Sequence, residues 1–401
     1  MMANLDTARE SRAAAAIACV LAGALTCCGA RTAVDISPRD ASTEVRLDAG
    51  PSDAGPRPSA CDPPTATCTW RAGETVPLGD DPASNILAAA SCDRGEFAFA
   101  YTRSTTSLWT HARVIGGNPL RTIADVALPR VTLAILPTRD GWVDVGVPPA
   151  PGVCQIEWRR ADFALDHVES IAGTSLCDAD ITGDDELSVF SQYARIDDRS
   201  TVHVFSISRQ RIERVVTLPE AAQFVVVARP LPDGGVLAIF LTPNGFPLVS
   251  HVDAVVVGAD GSVVAETRVR EFSIVTAEPD RDGPGFIAIV TDASLAESRL
   301  LRVVSERDAI RTEDLGTLTR PGLFLGNPGE LAILPHHYLA NDQDGRVLSV
   351  AAIDSSIRAI PGPITGSSPL SSISSSDGSA YVAHFWTVGI RPFLRMLTCE
   401  P

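Results

Sequence analysis

Short apolar runs, each broken by a compact polar turn, recur along most of this chain. Ile86–Ala90 and Glu96–Tyr101 flank Asp93-Arg94-Gly95, and Arg139-Asp140-Gly141 leads into Trp142–Val145. Gly183-Asp184-Asp185, Pro232-Asp233-Gly234 and Arg281-Asp282-Gly283 precede equivalent runs, as do Asn327-Pro328-Gly329 and Ser376-Asp377-Gly378. Glycine reaches positive φ without steric cost, and an Asp side chain bonds its own backbone two residues on. Such a turn between apolar runs predicts a β-hairpin. From Gly95 through Gly141, Asp185, Gly234, Gly283 and Gly329 to Gly378 the steps are 46, 44, 49, 49, 46 and 49 residues.

Most units hold a third and a fourth run, as in His251–Val257, the turn Ala259-Asp260-Gly261, and Ser262–Ala265. Four strands in 44 to 49 residues predict the blade of a β-propeller. An irregular β-sandwich is the alternative, but its turns recur about every 8–12 residues with no longer period. The expected fold is all-β: a seven-bladed propeller with units near 84–130, 131–173, 174–220, 221–273, 274–319, 320–364 and 365–401. The last unit runs out after three strands, and Trp70–Leu78 is an orphan strand ahead of the first. Adding that N-terminal strand to the last blade would remove two unpaired edges at once.

The first 66 residues read differently. Ala13–Thr26 is an apolar run of 14, too short to span a membrane and fitting for a signal-peptide core. It ends Leu25-Thr26-Cys27-Cys28-Gly29, which resembles a bacterial lipoprotein signal. Cys28-Gly29-Ala30-Arg31-Thr32 is similar to the mature start of lipoproteins of myxobacterial type. The resemblance implies residues 1–27 as a cleaved signal peptide, Cys28 as the lipidated residue, and a place in the cell envelope on the outer membrane of a Gram-negative bacterium. Cys27 is the alternative acceptor, because a cysteine at the position before the cut departs from the usual small residue. An ordinary secretory signal is the rival reading. Residues 28–66, rich in Asp, Pro, Ala, Ser and Gly, cannot bury enough apolar area to offset their ordering entropy, so a disordered tether is expected. Its mean span would be roughly 30–35 Å. The domain then occupies 67–401.

Composition narrows the chemistry. All 33 basic residues are Arg, which excludes Schiff-base and P-loop lysines. A net charge of −16 argues against a nucleic-acid partner. With Cys19 and Cys27 lost in the signal and Cys28 lipidated, Cys61, Cys68, Cys92, Cys154, Cys177 and Cys399 remain. An even set in an exported chain predicts disulfides, in fifteen possible pairings. No Cys-x-x-Cys pair supports the rival zinc reading. If the orphan strand runs antiparallel to the last one, Cys68 meets Cys399, a tie worth ~5 kcal/mol on the chain-entropy model. Cys154 with Cys177 and Cys61 with Cys92 complete the expected set.

Candidate sites are sparse. In the usual propeller arrangement the loops after each second strand build the face opposite the Asp-Gly turns, and loops of varied length carry function. On that reasoning Tyr193, Arg195 and Asp197, then His336, His337 and Tyr338, then His384 and Trp386 are the candidate ligand-binding residues. His336, His337 and His384 were placed at equivalent ends of adjacent strands, within reach of one ion, although neighbouring strand residues point to opposite faces. Trp109 and Phe246, with Tyr193, Tyr338 and Trp386, could line a sugar- or peptide-binding surface. The Asp280 and Asp342 loops lack the twelfth-position Glu of a calcium loop, and Ser375–Gly378 departs from the Asp-box spacing of sialidase-like propellers. There is no Gly-x-Ser-x-Gly elbow and no His-Glu-x-x-His. No cofactor and no metal are expected. The reading is a membrane-anchored binding or protein-interaction module with an unknown protein or glycan partner, held to the membrane by lipid alone. The alternative is an exported propeller hydrolase or lyase acting on polysaccharide or a small ester. Carboxylates or arginines clustered at the channel mouth would favour the enzyme.

Overall fold

A computed structural model describes residues 65, 67–77, 83–91, 94–103, 110–116, 121–148, 152–172, 176–183, 185–193, 199–222, 224–243, 250–270, 273–280, 283–292, 298–306, 309–318, 331–334, 336–341, 347–351, 357–359, 371–376, 379–384 and 393–400. These residues form only strands and turns. Among them no helix is long and apolar enough to cross a membrane.

Strand β1 (Thr69–Pro77) comes first. The first sheet holds β2 (Ala83–Ser91), β3 (Glu96–Arg103), β4 (Thr110–Gly116) and β5 (Arg121–Leu128). The second holds β6 (Val131–Pro137), β7 (Gly141–Val147), β8 (Val153–Arg160) and β9 (Leu165–Ala172). The third comprises β10 (Leu176–Gly183), β11 (Glu186–Tyr193), β12 (Thr201–Ser206) and β13 (Arg211–Thr217). In the fourth are β14 (Phe224–Pro230), β15 (Val236–Pro243), β16 (Ser250–Val257) and β17 (Val263–Arg270). β18 (Ser273–Pro279), β19 (Gly285–Asp292), β20 (Ser298–Glu306) and β21 (Ala309–Leu318) make the fifth. The sixth has β22 (Leu331–Leu334), β23 (His337–Asn341), β24 (Val347–Ala351) and β25 (Ile357–Ala359). β26 (Ser371–Ser376), β27 (Ser379–His384) and β28 (Phe393–Glu400) make the last, and β1 pairs antiparallel with β28, Thr69 opposite Glu400. Every sheet is four-stranded and antiparallel. The first strand of each touches the first strand of the next, and β26 touches β2. That is the arrangement of a β-propeller.

Position within the sheet decides the residue pattern. β7, between two strands and between two sheets, is buried over six consecutive residues, and so reads as an apolar run broken by one Asp. The fourth strands β5, β9, β13 and β17 alternate exposed with half-buried or buried positions and together carry more charge than the first, second or third strands of those sheets. The recurring glycines answer two demands. Gly95 and Gly234 take positive φ of 63° and 92°. Gly141, Gly235 and Gly285 instead sit where a Cβ would overlap the backbone oxygens of Arg159, Val257 and Val303 on the third strand of the same sheet. Crowding rather than φ selects glycine at those three.

The sixth hairpin departs from expectation. Its first strand is Leu331–Leu334 and Leu334 pairs with His337, so the inner turn falls between those two, and Asn327-Pro328-Gly329 lies outside the described residues. His336 takes φ 62°, a conformation glycine would have been expected to supply.

Two disulfides are present, joining Cys68 to Cys399 and Cys154 to Cys177. The second ties β8 of one sheet to β10 of the next. Cys28, Cys61 and Cys92, with the signal and tether, lie outside the described residues.

Candidate functional site

The candidate residues divide between the two ends of the sheets. Tyr193 closes β11 and His384 closes β27, where His384 pairs with Ser371 and Phe393, at the end opposite the inner hairpin turns. Arg195, Asp197 and Trp386, like Trp109 and Phe246, lie outside the described residues. His336, His337 and Tyr338 lie at the other end, because the sixth turn falls between Leu334 and His337. His337 opens β23 opposite Leu334 and Ala351. The three histidines therefore do not share one end of adjacent strands, and the expected cluster is corrected.

Tyr338 is 1% exposed, and Arg302 of the fifth sheet donates to its phenolic oxygen. The same guanidinium donates to Asp280 at 3.0 Å and lies 3.4 Å from Glu313. Tyr338 thus packs inside a junction between sheets and presents nothing to a ligand. His336 is exposed, whereas His337 is 3% exposed. The His337 Nε2–H donates to the Thr65 carbonyl at 2.9 Å and lies 3.7 Å from Cys68 Sγ, and Trp70 packs edge-on at 5.7 Å. Burial pushes its pKa below the ordinary histidine value and neighbouring His336 adds to this, against the pull of the Thr65 bond. His337 is an imidazole set against the disulfide that joins Cys68, just ahead of β1, to Cys399 in β28.

The turn end of the ring is also laced by arginine. Arg94 donates to the carbonyls of Arg139 at 3.0 Å and Gly141 at 2.9 Å, and stacks 4.7 Å from the Trp142 ring. Arg229 likewise donates to the carbonyls of Asp280 at 2.5 Å and Gly285 at 3.1 Å in the next sheet's turn. These charge-assisted bonds tie each turn to the preceding sheet, in addition to the backbone bonds that the Gly141 and Gly285 carbonyls accept from Thr138 and Asp280.

The central lining offers the most distinctive chemistry. The seven first strands carry three acids and one base in their sequences: Asp178 and Asp180 on β10, Glu278 on β18, and Arg229 on β14. β10 and β18 approach each other past β14, with Cα atoms within 8 Å. Asp180 keeps some surface exposed, as befits the wall of a narrow passage. Burial holds its carboxyl well above the usual aspartate range, and the negative fields of Glu278 and Asp178 push it the same way. This is the pattern of like charges crowded in poor solvent, where one carboxyl retains its proton. Nothing in the sequence reading singled these acids out. The signal was available: two acids on one first strand, where the first strands β2, β6, β22 and β26 carry no charge at all.

No protein-family model matches the sequence, and no curated protein is similar enough to align with it. Solved structures do align. A β-propeller domain of Myceliophteria thermophila (Swd1) superimposes with a TM-score of 0.54 at 9% identity, over 82% of this chain and 99% of that one. Kuenenia stuttgartiensis hydrazine synthase gives 0.56 at 13% identity over 80% and 97%. The β-propeller domain of the Trilobed protease from Pyrococcus furiosus, which has an open velcro topology, gives 0.51 at 10% over 80% and 98%. The chain is a β-propeller. At these identities the likeness carries fold alone.

Proposed function

We propose that this chain is a lipid-anchored extracytoplasmic binding module. Its seven sheets are the blades of one closed ring, the N-terminal strand completes the last blade, and Cys28 and the tether hold the ring off a membrane. The observation that carries the reading is the use made of its cysteines. Both disulfides tie strands together, one joining the segment ahead of β1 to β28 and the other joining neighbouring sheets. Disulfides of this kind persist in oxidising compartments, which supports export. The pairing of β1 with β28 supports closure. Similar propellers include a domain of a protease and part of hydrazine synthase, so the fold does not choose between binding and catalysis.

The partner-binding face is the end at which Tyr193 and His384 close their strands, and the partner is a protein or a glycan. Changing Cys28 to Ser should release the chain from the membrane fraction. Release by a Cys27 variant instead would move the acceptor by one residue. Glycan-array or pull-down binding by the released chain should be lost when Tyr193 and Trp386 become Ala, with thermal unfolding unchanged. Binding that survives both substitutions would remove that face from consideration.

One observation favours the second reading, an exported hydrolase or lyase on polysaccharide or ester. Asp180 is a carboxyl whose pKa is raised well above the usual aspartate range by burial, Glu278 and Asp178, as a general acid's would be. Turnover of such a substrate that disappears in Asp180→Asn would establish it over the binding module.

A further inference from the structure

We propose that Cys68, Cys399 and His337 become a metal site when their disulfide is reduced, taking a soft d10 ion of zinc type. The inference is independent of the anchor and of the partner proposed above. Three segments far apart in sequence deliver the ligands: Cys68 just ahead of β1, Cys399 within β28, and His337 at the head of β23. Their ligand atoms all lie within 4.8 Å of one another. Around a tetrahedral zinc ion, bond lengths of about 2.3 Å to sulfur and about 2.0 Å to nitrogen place a thiolate and an imidazole nitrogen roughly 3.5 Å apart. Cys68 Sγ and His337 Nε2 already stand 3.7 Å apart. The two sulfurs must open to roughly 3.8 Å. With Cα atoms 5.3 Å apart, side-chain rotation accomplishes this without moving either strand. Burial favours the neutral imidazole that a metal requires. The other disulfide has no such companion: among the described residues no His, Asp or Glu joins Cys154 and Cys177 in a comparable group.

The chemistry balances with a protein dithiol as reductant. The dithiol delivers two electrons and two protons to the Cys68–Cys399 bond and is itself left as a disulfide. Both new thiols then lose their protons to solvent as the ion binds. His337, which now donates its Nε2–H to Thr65, releases that proton, takes one up at Nδ1, and turns the freed Nε2 lone pair to the ion. Three protein ligands leave one tetrahedral position for water. The ends of the ring stay tied in either redox state, by a covalent bond in one and by an ion in the other.

Cobalt(II) is the probe. The full chain carrying Cys154→Ser and Cys177→Ser is reduced anaerobically with a phosphine and titrated, beside the same chain left oxidised. One ion per chain, with a thiolate-to-cobalt charge-transfer band and tetrahedral d–d absorption in the reduced sample alone, is the expected result. His337→Gln should weaken that binding by at least about a hundredfold, more than the roughly 10–100-fold loss typical of removing an outer-shell partner. Cys399→Ser should cut the charge-transfer intensity by roughly half, since one of two thiolates is gone. Circular dichroism follows the fold throughout. Equal cobalt affinity in His337→Gln, binding by the oxidised chain, a spectrum without charge transfer, or unfolding on reduction with the ion present would each overturn the proposal.

Discussion

Two junctions between sheets solve one packing problem in opposite ways. Between the fourth and fifth sheets the buried layer is a broad apolar cluster: Val227, Leu237, Ile239, Val252 and Val256 meet Phe286, Val290, Leu301 and Val303. Between the first and second, the first sheet offers small residues, Ala89, Ala98, Ala100, Ala112 and Ala124, against Trp142, Ile135 and Phe163 of the second. The space left by those alanines is filled by charge. Asp144 shares the face of Trp142 and lies opposite Glu157 in the ladder. Arg130 stands 2.5 Å from Asp144 and 2.9 Å from Glu157, and Arg159 bonds Glu157 and lies 3.6 Å from Asp144. All four are mostly or fully buried. A Cβ at Gly146 would overlap the Val131 backbone oxygen and also crowd the Arg130 side chain. A repeat therefore prescribes the backbone frame and leaves each junction free to be filled by hydrocarbon or by mutually neutralised charge.

The two fillings should fail differently. Asp144→Ala leaves Arg130 buried without its nearest counter-charge, and should cost about 3–5 kcal/mol in urea unfolding. Arg130→Met combined with Asp144→Leu removes the uncompensated charge, and should recover most of that loss or exceed the native stability. Arg130 Nε and Nη1 find no hydrogen-bond acceptor among the described residues, which makes the native cluster a poor competitor to a packed apolar pair. A double variant as unstable as Asp144→Ala alone would mean that the cluster holds this junction together. In the apolar junction, Phe286→Leu should cost only about 1 kcal/mol, because neighbouring aliphatic side chains can repack. A loss as large as that of Asp144→Ala would erase the distinction.

This difference was hidden in the sequence, although the frame around it was not. Alternating apolar runs and Asp-Gly turns reveal strands, units and the hairpins at Gly95, Gly141, Asp185, Gly234, Gly283 and Gly378, because turn chemistry is local. The sixth hairpin misleads for the same reason. Asn327-Pro328-Gly329 has better turn chemistry than Pro335-His336, yet the sheet closes at His336 and holds it at φ 62°. With the register moved by one strand, His336, His337 and Tyr338 pass to the other end of the sheet, and His337 comes to rest on Cys68. The charged junction depends on partners 13 and 14 residues from Asp144, and only the ladder register shows them to be neighbours. Cys68 and Cys399 were easier to relate, since antiparallel pairing of the first and last strands brings their ends together.

Charge that is not neutralised gives the smallest effect and the sharpest contrast with the buried cluster. Asp180 faces the negative fields of Glu278 and Asp178, and its pKa is raised in the folded ring. A carboxyl whose folded pKa exceeds its unfolded value binds extra protons in the native state, so its stabilising contribution is complete below the unfolded value and is lost as pH rises through the folded one. Stability should therefore fall as pH climbs from acid toward neutrality, by an amount Asp180→Asn abolishes. The Asn variant should unfold at higher urea than the native chain near pH 7 and at the same urea near pH 4. A pH-independent gain from Asp180→Asn would show that relieved desolvation alone, and not the crowding of like charges in the passage, sets the behaviour of this residue.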